Sequence, residues 1–213
     1  MEEVANRIAR YIRAELVDGS AEVPCCPLVR FYITRRYEAL DEVQQRFAVG
    51  ALEGASPLPG TRCLTLLATV GQEPAWNSRQ HSVGHKAIPL VSRKIVARAP
   101  MISSLISQFG LDLGALLDPE LVVMAELEQK SYNVFFVPEA LGSSSIPAQQ
   151  EFVVPYRIRS VLGFGGMLPT GDLFALILFS QVPIGSATAE LFKTLALNVK
   201  LAILPYVDGQ VFA

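Results

Sequence analysis

Two dense apolar runs, Arg159 to Leu168 and Leu173 to Gln181, lie either side of a four-residue break, Pro169-Thr170-Gly171-Asp172. A break rich in Pro and Gly between two strand-length apolar runs predicts a β-hairpin. The Leu173 to Phe179 run has the length of a buried strand and falls far short of the roughly 20 residues that span a bilayer. Gly163, Gly165 and Gly166 inside the first arm indicate a bulge or the close approach of another backbone. Pro183 and Gly185 end the second arm, and a helix is expected from about 187 to 204. Leu191, Leu195, Val199 and Ile203 form one stripe of it, and Phe192, Leu197, Leu201 and Ala202 widen the apolar surface. A helix apolar on more than one side is expected to be buried from two directions.

The rest of the chain supplies partners for that hairpin. Val4, Ile8, Tyr11, Ile12 and Leu16 recur at helical spacing and predict an amphipathic helix over 2–17, ended by Asp18-Gly19-Ser20. Leu28 to Thr34 is rich in β-branched and aromatic residues and predicts a strand. Helical spacing returns over 40–52, and a second strand is expected over 62–69. A long aperiodic loop follows over 71–85, then a short strand over 87–91, helices over 92–109 and 119–128, and a strand over 133–137. No repeat, low-complexity tract or linker divides the chain, so residues 1–213 are expected to form one domain with a helical and loop insertion over roughly 70–150. The element order predicts the α+β class: a mixed antiparallel β-sheet flanked by helices.

Composition narrows the function classes. Hydrophobic residues make up 51% of the chain and charged residues 18%, with a formal net charge of -2. This opposes disorder, and it opposes a nucleic-acid partner held by a strongly basic surface. The mean hydropathy of +0.35 leaves either a large core or apolar surface for a partner. The acidic start Met1-Glu2-Glu3 lacks the basic and apolar blocks of a signal peptide, and no run is long enough for a membrane span. Cys25, Cys26 and Cys63 form no CxxC and no even framework. The expected setting is the cytoplasm, with the thiols buried and reduced.

Three segments carry a resemblance to the GAF domain, a small-molecule-sensing module of signalling proteins. They are Pro27 to Tyr32 after an N-terminal helix; Val153-Val154-Pro155 leading through Ile158 to Met167 into Leu173 to Phe179; and the helix Thr188 to Ala196. The resemblance covers the ends of the chain and leaves 70–150 unmatched. It implies a PAS/GAF-type architecture of about six strands with a ligand pocket on one face. It also implies that the N- and C-terminal helices pack together on the other face and mediate a homodimer, and that the apolar-Pro segment is extended.

Candidate site residues cluster in the long loop. Trp76, Asn77, Arg79 and His81, with Tyr132 and Phe135 from the region of a nearby strand, have the make-up of an apolar pocket with a few polar anchors. Core aromatics and a surface loop are the alternative. His81 and His85 are four apart, which on a helix puts both imidazoles on one face for a metal or haem. No HExxH pattern is present, Gly84 weakens a helix, and only Glu73 or Cys63 offers itself as a third ligand. Cys63 beside Arg62 is a candidate reactive thiol. Gly163-Phe164-Gly165-Gly166 leads into a hairpin and not a helix, so it lacks the helix N-terminus of a phosphate loop. Ser143, Ser144 and Ser145 lack a GxSxG elbow, and Glu126 and Glu128 do not share a helix face.

The reading that follows is a non-enzymatic sensor or regulatory domain. It binds an unidentified small molecule on one sheet face, involving Trp76, Asn77, Arg79, His81, His85, Tyr132 and Phe135, and reports through its terminal helices. A haem or metal sensor and a small-molecule enzyme using Cys63 are the rivals. No output module is recognisable, so the chain is expected either to act through a partner protein or to continue from its last helix into an output domain.

Overall fold

The computed structural model describes residues 1–19, 23–55, 57–111, 133–209 and 211–212. Its centre is a six-stranded sheet. The strands are β3 (Leu28–Arg36), β4 (Arg62–Gly71), β5 (Ala87–Pro89), β6 (Asn133–Val137), β7 (Ser160–Met167) and β8 (Leu173–Ser180). Their order is β5-β4-β3-β8-β7-β6, and every neighbouring pair is antiparallel. The α+β class is as expected, although the sheet is antiparallel throughout and not mixed. A small separate ribbon pairs β1 (Val17–Asp18) with β2 (Val23–Pro24). The helix expected over 119–128 lies outside the described residues.

Alternation along β3 divides the molecule into two layers, because successive side chains of a strand point to opposite faces. Val29, Phe31 and Ile33 enter one core cluster, and Leu28 and Tyr32 enter the other. Helices cover the first face. Helix α1 (Glu2–Glu15) buries Ala5, Ala9 and Ile12 over β3 and β4. Helix α5 (Ser186–Ile203) buries Ala189, Phe192, Ala196, Val199 and Ile203 over β6 and β7. Glu2 and Glu3 in the first turn of α1 and Arg13 in its last oppose the helix dipole, and Arg13 Nε also donates to Cys26 O at 3.0 Å.

The buried stripe of α5 is rotated from the one expected. Leu191 and Leu195 face outward with Leu197 and Leu201, and Leu191 is 71% exposed. A helix apolar nearly all round gives its own periodicity little power to choose an inner face.

The other face is covered by connections. Helix α2 (Glu42–Ala51) is not among them: its Ala48 packs with Cys63 and Ala87 on the α1 side of the sheet, and it starts with a capping box in which the Asp41 carboxylate accepts from Gln44 N–H at 2.9 Å. Helices α3 (Arg93–Val96) and α4 (Pro100–Gln108) are separate, and Pro100 opens the second, where its missing N–H costs nothing. Among the described residues, no helix is long and apolar enough to cross a membrane.

The hairpin expected from sequence is β7 and β8, in unbroken register from Ser160↔Ser180 to Met167↔Leu173. The glycines therefore mark close approach and not a bulge. A Cβ on Gly165 would stand 2.0 Å from Phe174 O. The turn is anchored by Asp172, which is 4% exposed. Its carboxylate takes Arg35 and Arg62, each at 3.1 Å, and the hydroxyls of Thr34 and Thr170. Those contacts fasten the turn to the ends of β3 and β4.

One segment differs in kind from its expectation. Residues 149–153 form a single π-type turn that continues into turns through 157, where an extended apolar-Pro segment was expected. The helical winding puts Phe152 and Tyr156, four apart, on one side, where both rings reach Trp76.

Candidate functional site

Arg30 is the charged residue of an otherwise apolar stretch of β3. Strand alternation puts it between Leu28 and Tyr32, on the face that the helices α1 and α5 leave to the connecting segments. It is 7% exposed. Its Nη1 donates to Tyr32 Oη at 3.2 Å, and its Nη2 donates to Ser82 Oγ at 3.0 Å and to Val83 O at 3.1 Å. Its buried Nε–H has no partner. Among the described residues, no carboxylate lies within ion-pair distance of it. Leaving a charge buried without a counter-charge costs of the order of several kcal/mol.

Arg30 opens into a cavity of about 390 Å³. Leu28 and Phe179 form its floor on adjacent strands, where they are opposed in register. Pro100 and Met101 at the start of α4 form one wall, and Ile146, Pro147, Ala148 and Phe152 form the roof. Trp76, Val83, Gly84 and His85 close the remaining side, with Glu151 at the exposed rim.

Local sequence explains how these parts are held. Trp76 sits in a 3-10 turn (Pro74–Asn77) at the end of β4. Gly71 makes room for it, since a Cβ there would lie 2.6 Å from the indole ring. The indole packs on Tyr156 with ring centroids 4.6 Å apart and edge-on to Phe152 at 5.7 Å, and Phe152 stacks edge-on to Phe179 at 4.9 Å. Gln149 secures the roof. Its Nε2 donates to Ala140 O at 3.1 Å and Ile146 O at 2.6 Å, and its Oε1 accepts from Gly142 N–H at 2.8 Å. Ser145 meets Ser104 of α4 through a 3.1 Å hydroxyl contact.

The candidate residues chosen from sequence separate into several places. Trp76 and His85 line this cavity. Asn77 is a structural residue: its side chain accepts from Gly71 N–H and donates to Gly71 O and Glu73 O, closing the turn that carries Trp76. Phe135 is fully buried within the core on the same sheet face. His81 is exposed and is not part of the lining. Tyr132 lies outside the described residues, as do Glu126 and Glu128.

Arg79 turns the other way. It is also 7% exposed, but it ion-pairs with Asp41 and lies over the Phe212 ring, 4.8 Å from its centroid. Its Nε stands 2.8 Å from Glu2 Oε1, an ion pair whose alignment falls short of a hydrogen bond. Burial works against the Asp41 charge, yet the Gln44 N–H and the Arg79 guanidinium outweigh it, and its pKa lies below the ordinary value. A larger hollow of about 680 Å³ lies here, between the start of α2 and Gly209, Val211 and Phe212. Size alone favours it. Its guanidinium already faces two carboxylates, however, whereas the buried cation of the smaller cavity is ion-paired with none of the described residues, and that cavity is the better ligand site.

The two histidines do not share a helical face. Residues 81–85 are not helical, and Gly84 and His85 have φ of 75° and 51°. Burial, and then the Arg30 charge, lower the His85 pKa, which keeps its imidazole neutral at pH 7. Among the described residues, no three His, Cys, Asp or Glu side chains form a group able to hold a metal. Cys63 is buried, and desolvation pushes its thiol up to about 12, the protonated and unreactive state at neutral pH. Of the buried neighbours Cys25 and Cys26, Cys25 is the one lowered, to about 7, chiefly by a hydrogen bond from the Cys26 thiol.

Arg30 was missed because a single Arg in a strand reads as surface decoration. The signal was its place in the alternation, between two residues bound for the core. Comparisons with protein-family models, curated proteins and solved structures return no match for this chain.

Proposed function

We propose that this chain is a non-enzymatic, GAF-like sensor or regulatory domain of signal transduction that binds a small molecule in the cavity beside β3 and β8. The observation that carries the reading is the cavity itself. Its volume of about 390 Å³ falls in the range of small-molecule sites. Its walls are mostly aliphatic and aromatic with a few convergent polar groups, the usual make-up of such sites.

Readout runs through the sheet to the helices. Leu28 and Arg30 line the cavity, while Val29 and Phe31 of the same strand pack in the layer that α1 and α5 share. A ligand that favours one pose of the strand over another shifts the helices by its difference in affinity for the two states. The four outward leucines of α5, Leu191, Leu195, Leu197 and Leu201, support a homodimer formed through the terminal helices, since apolar side chains gathered on one exposed helix favour burial against a partner. In this reading the domain works in the cytoplasm and passes its signal to an attached output domain or a separate partner protein.

The test uses Trp76, the sole tryptophan, as an energy donor. The neutral fluorophore N-phenyl-1-naphthylamine is titrated into the protein with excitation of the indole. Saturable energy transfer that is lost in Ala148→Phe, which fills the mouth from an exposed rim position, is the expected result. Absence of transfer, or transfer indifferent to Ala148→Phe, rejects the cavity as the binding site.

A further inference from the structure

We infer that the ligand is a small organic carboxylate with an apolar body, held through its carboxylate by Arg30; the inference rests on the cavity being the binding site. Three of the five guanidinium N–H groups of Arg30 donate to Tyr32, Ser82 and Val83. Those three acceptors are neutral, so they orient the guanidinium without cancelling its charge. The buried Nε–H and one Nη1 hydrogen remain for a ligand. A carboxylate supplies the missing charge and an acceptor for one of these donors, which stand on different edges of the guanidinium.

The surroundings select the size and charge of the anion. Beyond Arg30, the cavity meets Leu28, Trp76, Met101, Ile146, Phe152 and Phe179, which suit a branched or aromatic hydrocarbon body. His85 is neutral at pH 7 and adds a hydrogen-bonding group and no second positive charge. Glu151 at the rim adds a negative one. One cation with a carboxylate at the mouth matches a monoanion and disfavours a phosphate dianion. The apolar walls disfavour a free inorganic ion, whose hydration they do not replace.

Phenylacetate and 4-methylpentanoate are compared with phenylacetamide and 4-methylpentanamide by calorimetric titration of wild type, Arg30→Lys and Arg30→Met. The wild type is expected to bind at least one acid ten-fold or more tightly than its amide. Arg30→Met is expected to abolish the preference, and Arg30→Lys to retain part of it through its charge. Wild-type protein labelled with [15N]arginine gives a readout that needs no variant to fold: the Arg30 Nε–H resonance shifts with the acid and not with the amide.

Equal binding of acid and amide, or a preference that survives Arg30→Met, overturns the carboxylate assignment. So does binding of the neutral fluorophore with no binding of either acid, which leaves the cavity intact as a site. If the fluorophore and both acids all fail to bind, the sensor reading falls, and this inference falls with it.

Discussion

Arg30 and Arg79 are buried to the same extent, yet their surroundings are opposite. Arg79 faces two carboxylates, lies over a phenyl ring, and joins α1, the start of α2 and Phe212. Arg30 faces three neutral acceptors and a cavity. The first arrangement completes itself within the chain. The second holds a cation whose compensation must come from elsewhere. Burial alone therefore does not separate a structural arginine from a binding one; the charge of its partners does.

That contrast can be broken by substitution. The largest effect is expected at Asp172, where Arg35 and Arg62 both depend on one buried carboxylate. Asp172→Ala should cost about 3–5 kcal/mol in denaturant unfolding, the usual loss when one side of a buried ion pair is removed. Arg79→Met should cost about 2 kcal/mol, less because Asp41 is partly exposed and better solvated. Arg30→Met should change stability by no more than about 1 kcal/mol, because the lost hydrogen bonds are offset by relief of an uncompensated charge. An Arg30→Met loss as large as that of Arg79→Met would show that Arg30 is structural and would erase the contrast.

A smaller effect is expected with pH. His85 is held neutral in the folded protein below its ordinary value of 6.5, so the unfolded chain takes up the proton first. Stability should fall as pH drops through about 6.5, and that part of the slope should vanish in His85→Asn. A ligand carboxylate placed against Arg30 should flatten the slope by easing protonation of His85. The smallest effect is expected at Leu195, which faces outward. Leu195→Asp should leave monomer unfolding within about 0.5 kcal/mol of wild type while dissociating a dimer built on α5. Cooperative loss of the fold would instead place Leu195 in the core.

Periodic features were legible from sequence. The hairpin, α1, α2 and β6 lie close to where spacing and turn residues put them, because those signals are local. Sheet order was not legible, since pairing β3 with β8 is decided by contacts distant along the chain. The segment Val153-Val154-Pro155 was misread as extended because the helical winding it shares serves the Trp76, Phe152 and Tyr156 cluster, a tertiary demand that its own residues do not announce. In the long loop, residue types suggested a pocket, and Trp76 and His85 do line one. Asn77 and Arg79 have the same polar character but hold backbone and carboxylates, and only their partners distinguish the two roles.

The opposition of Leu28 and Phe179 in the cavity floor bears on how the site comes into being. They lie on the first and last strands of the six-stranded sheet in chain order, β3 and β8, so the floor closes against a large loop-closure entropy. During synthesis the Arg30 side appears early and stays half-built until β8 has been made. Ligand recognition thus becomes a property of the finished topology, gained late in folding and lost early whenever the β3–β8 ladder opens.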